Sequence, residues 1–134
     1  MQSWKGAEMK RIIYKIFYHV FDKHLRKKAI ENHRKMWRWL AEHPDKGKLE
    51  YLMAHDPKAK LACHCYLCDY AEKREGKRRV AGLSCGSCPL DWRGKTCGRF
   101  DSLFDKWRKY SLASLKERGD IARQIAELPE RKDR

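Results

Sequence analysis

Apolar residues recurring three and four positions apart carry the clearest signal in this chain. Ile12, Ile13, Ile16, Phe17, Val20 and Phe21 form one such stripe; after a thinner stretch at Leu25 the pattern resumes with Ala29, Ile30, Met36, Trp37 and Leu40. No glycine or proline interrupts residues 8–43, which predicts one long helix, or two with a break near residues 22–28. The run HPDKG at 43–47 then stops it, since Pro44 disfavours helix in the residue before it. A short helix is expected over residues 49–54. Helical spacing returns with Leu103, Phe104, Trp107, Tyr110 and Leu115, with Asp101 or Ser102 as the N-cap. Gly119-Asp120 reads as the end of that helix and the cap of another, whose buried face is Ile121, Ala122, Ile125 and Leu128. Both stripes of the first helical region are expected to be core. Trp39 lies off the stripe and is expected against the C-terminal helices.

Between these helical ends, residues 63–100 show little periodicity and hold five glycines, so knuckles, turns and a short hairpin are expected there. The fold class that follows is mainly α: helices at both ends packed around an irregular, treble-clef- or knuckle-like module. One domain spans 1–134, divided into a basic helical part (1–62), the cysteine module (63–100), C-terminal helices (101–128) and a frayed tail (129–134).

The cysteines give that module its chemistry. Cys65 and Cys68 form one Cys-x-x-Cys pair and Cys85 and Cys88 another, sixteen residues apart. Two thiolates separated by two residues point from one tight turn at a single ion, and a second turn completes the tetrahedron. Four thiolates close the coordination sphere, so a Zn2+ ion there is structural rather than catalytic. Iron–sulfur ligation is the other metal reading of the same residues. A disulfide framework fits poorly, because nothing in the sequence indicates secretion and a chain of 134 residues buries a core without bridges. Cys97 is either a substitute for one of the four ligands or a buried free thiol, and Cys63 and His64 flank the first knuckle. A two-zinc, six-cysteine cluster fails where Glu75 stands in place of a cysteine.

Charge changes the picture next. The chain carries a formal net charge of +14, with 42% apolar and 37% charged residues; its five tryptophans and six tyrosines argue against disorder. Residues 1–62 hold 15 basic and 7 acidic groups, so the excess is concentrated there and beside the cysteines. A surface of this kind seeks a polyanion. Lys23, Arg26, Lys27, Lys28, Arg34, Lys35 and Arg38 are the candidate contacts on the helices. Lys73, Arg74, Lys77, Arg78 and Arg79 are those beside the knuckles, where they also offset the charge of the thiolates.

No phosphate loop, His-Glu-x-x-His run or nucleophile-elbow serine occurs, and the six histidines are scattered, so the chain is not expected to be an enzyme. Neither a signal peptide nor an apolar run of membrane-spanning length is read, which gives the expectation of a cytoplasmic protein without a membrane partner.

The segments ENHRKMWRWLAE (31–42), CYLCDYA (65–71), CGSCPLDW (85–92), Cys97 and SLFDKW (102–107) together resemble a group of small cysteine-containing proteins of bacteriophages and prophages of Gram-positive bacteria. The resemblance covers residues 29–107 and leaves out the basic N-terminal helix; Cys63-His64 departs from the pattern. It implies a phage accessory protein, acting in the host cytoplasm, with a zinc knuckle pair between helices, and it brings no established activity. The two expectations for function are a non-enzymatic nucleic-acid-binding module and a protein-binding inhibitor or adaptor. The second would occupy an acidic, nucleic-acid-binding groove on a host immune or transcription protein, with Trp39 or Trp4 as anchor.

Overall fold

In a computed structural model, the structure describes residues 2–61, 64–75, 88–94, 97, 101–110 and 114–132; for 2–7, 11, 14, 15, 18, 74 and 75 it describes the backbone alone. The fold is mainly helical. Its elements are α1 (Gln2–Glu42), α2 (Lys48–His55), α3 (Tyr66–Glu75), α4 (Leu103–Lys109) and α5 (Leu115–Ala126). The C-terminal half of α1 is the central post: α5, α3 and α2 pack on it, and α4 packs on α5.

Residues 22–28 carry no break, and α1 is a single helix of 41 residues. Its second stripe behaves as expected: Ile30, His33, Met36, Trp37 and Leu40 are buried against Ile121, Ala122, Ile125 and Leu128. The first stripe does not. Ile12, Ile13, Ile16, Phe17, Val20 and Phe21 are each about half exposed or more, with Phe17 at 73%. The cause is angular. At 3.6 residues per turn, the centre of the 9–21 stripe lies roughly 150° around the helix from the centre of the 29–40 stripe. One globule on one side of α1 cannot cover both.

Pro44 and the turn at 43–47 end α1 as expected, and Arg118 then locks the turn. Its guanidinium donates to the carbonyls of Pro44 (2.6 Å), Lys46 (3.1 Å) and Trp107 (3.3 Å). It also lies 4.1 Å from the Trp107 ring centroid. Trp39 packs on α2 rather than on the C-terminal helices: it stacks on His43 at 4.3 Å and meets Tyr51 and His55 edge-on, each at 5.5 Å.

Gly119 does not end a helix. It lies inside α5 at the crossing with α1, where a Cβ would stand 3.1 Å from the Ala41 carbonyl oxygen and 3.6 Å from Pro44. Close approach, not chain reversal, is what this glycine provides. The tail is also better held than expected. Pro129 accepts from Asp91 N–H (2.9 Å), Arg131 N–H donates to Pro89 (2.8 Å), and Leu90 and Glu130 form an antiparallel bridge. Residues 89–91 are thereby tied to the end of the chain.

Candidate metal centre

The first Cys-x-x-Cys pair opens a helix instead of a free knuckle. Cys65 immediately precedes α3, and Cys68 lies in its first turn. The Cys65 carbonyl accepts from Asp69 N–H (3.0 Å), and the Cys68 N–H points at the Cys65 sulfur (3.5 Å). A sulfur that caps a helix N-terminus is favoured as thiolate, because unpaired N–H groups and the helix dipole face it. His64, at φ +53°, turns the chain into this position and is itself exposed.

Two further segments bring sulfur to the same place. Cys97 is fixed from α4: the Ser102 hydroxyl donates to the Cys97 carbonyl (2.7 Å) and accepts from Asp105 N–H (3.1 Å) as the N-cap. The Asp105 carboxylate, 6% exposed, takes Arg108 (2.8 Å), Lys109 (3.0 Å) and the Asp101 N–H (3.1 Å). Cys88 arrives on the segment tied to the tail, with its carbonyl 3.5 Å from an Arg131 guanidinium nitrogen.

The thiols interact. Cys65 and Cys97 both lie near enough to raise the pKa of Cys68 and of Cys88. The Cys68 side chain acts first on Cys65, whose pKa falls well below the usual thiol value, and nearby His33 and Lys48 lower it further against the effect of burial. Cys68 rises in turn, chiefly through Cys65 and then Cys97. Burial pushes Cys88 up to about 11, opposed by the Leu90 backbone and the Trp92 indole. This is how one proton-poor sulfur behaves among several that cannot all ionise without a cation. None of Cys65, Cys68, Cys88 and Cys97 forms a disulfide.

Below the sulfurs sits His33, 0% exposed, with Trp37 and Trp92 each at 6.1 Å between ring centroids. The ring lies close enough to Cys65 to lower its pKa, yet neither nitrogen is aligned for a hydrogen bond to any atom. The Trp92 N–H likewise lies beside Cys88 without a bond of good alignment. A buried ring with two unsatisfied nitrogens is costly. In the sequence His33 is one of six scattered histidines, and its spacing with Met36, Trp37 and Leu40 is the signal that puts it on the buried face.

Among the described residues, no group of three or more His, Cys, Asp and Glu side chains is arranged to hold a metal ion. Cys85 lies outside the described residues, as do Cys63, Lys77, Arg78 and Arg79. The described donors nevertheless suit zinc chemically: soft sulfur, one sulfur already favouring the thiolate, and an imidazole in reserve.

The candidate cationic contacts divide in two. Arg26 and Arg34 are turned inward, which revises their expected role. Arg26 donates to the carbonyls of Arg131 (3.0 Å) and Pro89 (3.3 Å) and reaches Glu130 (3.4 Å); Arg34 donates to that of Leu128 (3.2 Å). Lys23, Lys27, Lys28, Lys35 and Arg38 are exposed on the side of α1 away from the core. None of these five forms an ion pair among the described residues. Lys73 is exposed but pairs with Asp69 at 2.9 Å. Arg74 lies on α3, and its side chain is not described.

No family model, no curated protein and no solved structure matches this chain. Among the described residues, no helix is long and apolar enough to cross a membrane.

Proposed function

We propose that the chain is a small, non-enzymatic, zinc-stabilised module that binds nucleic acid along the outer side of α1. The observation that carries this reading is the set of five exposed cations, Lys23, Lys27, Lys28, Lys35 and Arg38, none ion-paired among the described residues. From Lys23 to Arg38 they span roughly 22 Å at 1.5 Å per residue. That is about two-thirds of a turn of duplex, or six to seven nucleotides of one strand. The contacts are to phosphate and carry no base readout, so affinity without strong sequence preference is expected.

In the same reading the metal is structural Zn2+. Cys65, Cys68 and Cys88 hold it, and Cys97, presented by the α4 cap, takes the fourth place. The support is that Cys97 lies near enough to Cys68 and Cys88 to raise the pKa of both. The bound ion would tie α3, the 88–92 segment and α4 together around the end of α1. The likeness of residues 29–107 to phage proteins supports an accessory role in an infected cell.

The second reading, an inhibitor that fills an acidic groove on a host nucleic-acid-binding protein, uses the same five cations. A tagged pull-down from host lysate, divided and half-treated with nuclease, separates the two. Recovery of nucleic acid, with accompanying proteins lost on nuclease treatment, supports the first. One stoichiometric protein that survives nuclease supports the second.

A further inference from the structure

The N-terminal half of α1 leaves a large apolar face uncovered, and we infer that a second copy of this chain covers it, pairing the two α1 helices antiparallel through residues 9–25. Met9, Ile12, Ile13, Ile16, Phe17, Val20 and Phe21 are 49–73% exposed and follow one side of the helix, and Leu25, 39% exposed, lies further round towards α3. Their exposed surface sums to on the order of 900 Å², about what each partner contributes to a stable interface of standard size. It is also well beyond the contiguous apolar patch that a monomer's surface ordinarily carries.

The half-turn offset between the two stripes means that no rearrangement of the body on its own side of α1 covers this face. A projecting helix of this length is marginal without packing, and the β-branched Ile12, Ile13, Ile16 and Val20 make it poorer still. The cover must therefore be present whenever the chain is folded. A second copy meets that condition, and a two-fold pair needs only one self-complementary stripe.

Charge selects the direction of pairing. The same side of α1 becomes cationic at the end of the paired span and beyond it, at Lys23, Lys27 and Lys28. A parallel pair would place these residues against their own copies. An antiparallel pair centred on Phe17 sets the two Lys27 side chains roughly 30 Å apart along the axis, several times the Debye length of about 8 Å at physiological salt. Met9 then meets the region of the other copy's Leu25, beside the 310 Å³ apolar cleft that Phe21, Leu25, Ala29, Tyr66 and Tyr70 line between α1 and α3. The pairing uses none of the zinc ligands, and of the five cations only Lys23 falls within the paired span, so the oligomeric state is read apart from the function proposed above.

The test is the mass of the purified full chain by light scattering between about 1 and 100 µM, the range in which a micromolar dimer dissociates. The expected result is twice the 16.0 kDa chain mass at the upper end. Ile16→Asp and Phe17→Asp should each yield a monomer that keeps its zinc content and the near-ultraviolet signature of the buried tryptophans. Under mild oxidation Phe17→Cys should crosslink above the wild-type background and Met9→Cys should not. A monomer throughout the range overturns the inference, and so does an assembly that both aspartate variants leave intact. Equal crosslinking at positions 9 and 17 overturns the antiparallel arrangement. A monomer that instead binds anionic vesicles or an acidic helix would name the true occupant.

Discussion

His33→Leu separates the two jobs that a buried histidine beside sulfur can do. The ring is 0% exposed and leaves both nitrogens without an aligned partner. Replacing it with leucine removes a penalty of about 1–3 kcal/mol for unsatisfied buried polar atoms. The variant forfeits the tilted contact with Trp37 and the edge contact with Trp92, about 0.5–1.5 kcal/mol each. These effects offset one another, so the metal-free variant should unfold within about 1 kcal/mol of the wild type. With zinc the balance changes. An imidazole that supports a ligating thiolate contributes about 10–100-fold in metal affinity, or roughly 1.4–2.8 kcal/mol. Denaturant titration of the chelator-treated proteins measures the first quantity, and zinc competition against a chromophoric chelator the second. Equal zinc affinity in variant and wild type would refute a role for His33 in supporting the Cys65 thiolate. A loss above about 3 kcal/mol without metal would refute the packing estimate.

Three other outcomes follow from named contacts. Cys65→Ser and Cys97→Ser should each lose stoichiometric zinc and the protection of residues 65–75; equimolar zinc in Cys97→Ser contradicts the ligand set. Asp105 is held down to about 2, first by Lys109 and then by the Asp101 N–H and Arg108. Its contribution is thus complete above the unfolded carboxyl value of about 3.9 and is lost as the pH falls towards 2. Asp105→Asn should flatten the stability profile across that window, and an unchanged acid limb would contradict it. Arg118→Lys should cost about 2–3 kcal/mol in denaturant unfolding, because one ammonium cannot replace three carbonyl contacts and the stack on Trp107; a change under about 0.5 would contradict that role.

The elements whose signals are local were legible in the sequence. The 29–40 stripe, the stop at Pro44, the short helix after it and the Ser102 cap all follow from spacing and capping chemistry, and each stands in the structure. What misled was reading stripes singly. Residues 12–21 and 29–40 look like one interrupted core face until their angular positions are compared, and only then does the exposed face emerge. Gly119 was read by its usual role in ending helices, because the crossing with Ala41 is a long-range fact. Arg26 and Arg34 could not be told from the outward cations for the same reason: their carbonyl partners lie 63–105 residues away. The Cys65–Cys68 pair was plain from its spacing. The approach of Cys97 and His33 depends on how α4 and α1 pack, which no local pattern encodes.

The most direct test of the central reading is the salt dependence of binding to a short duplex of arbitrary sequence. If Lys23, Lys27, Lys28, Lys35 and Arg38 each neutralise one phosphate, log K should fall against log salt with a slope of about −4.5. Lys27→Gln, Lys35→Gln and Arg38→Gln together should lower its magnitude by about 2.7 without changing sequence preference. Binding that is absent at low salt, or that is indifferent to both salt and the triple substitution, would contradict the assignment of this face of α1 to nucleic acid.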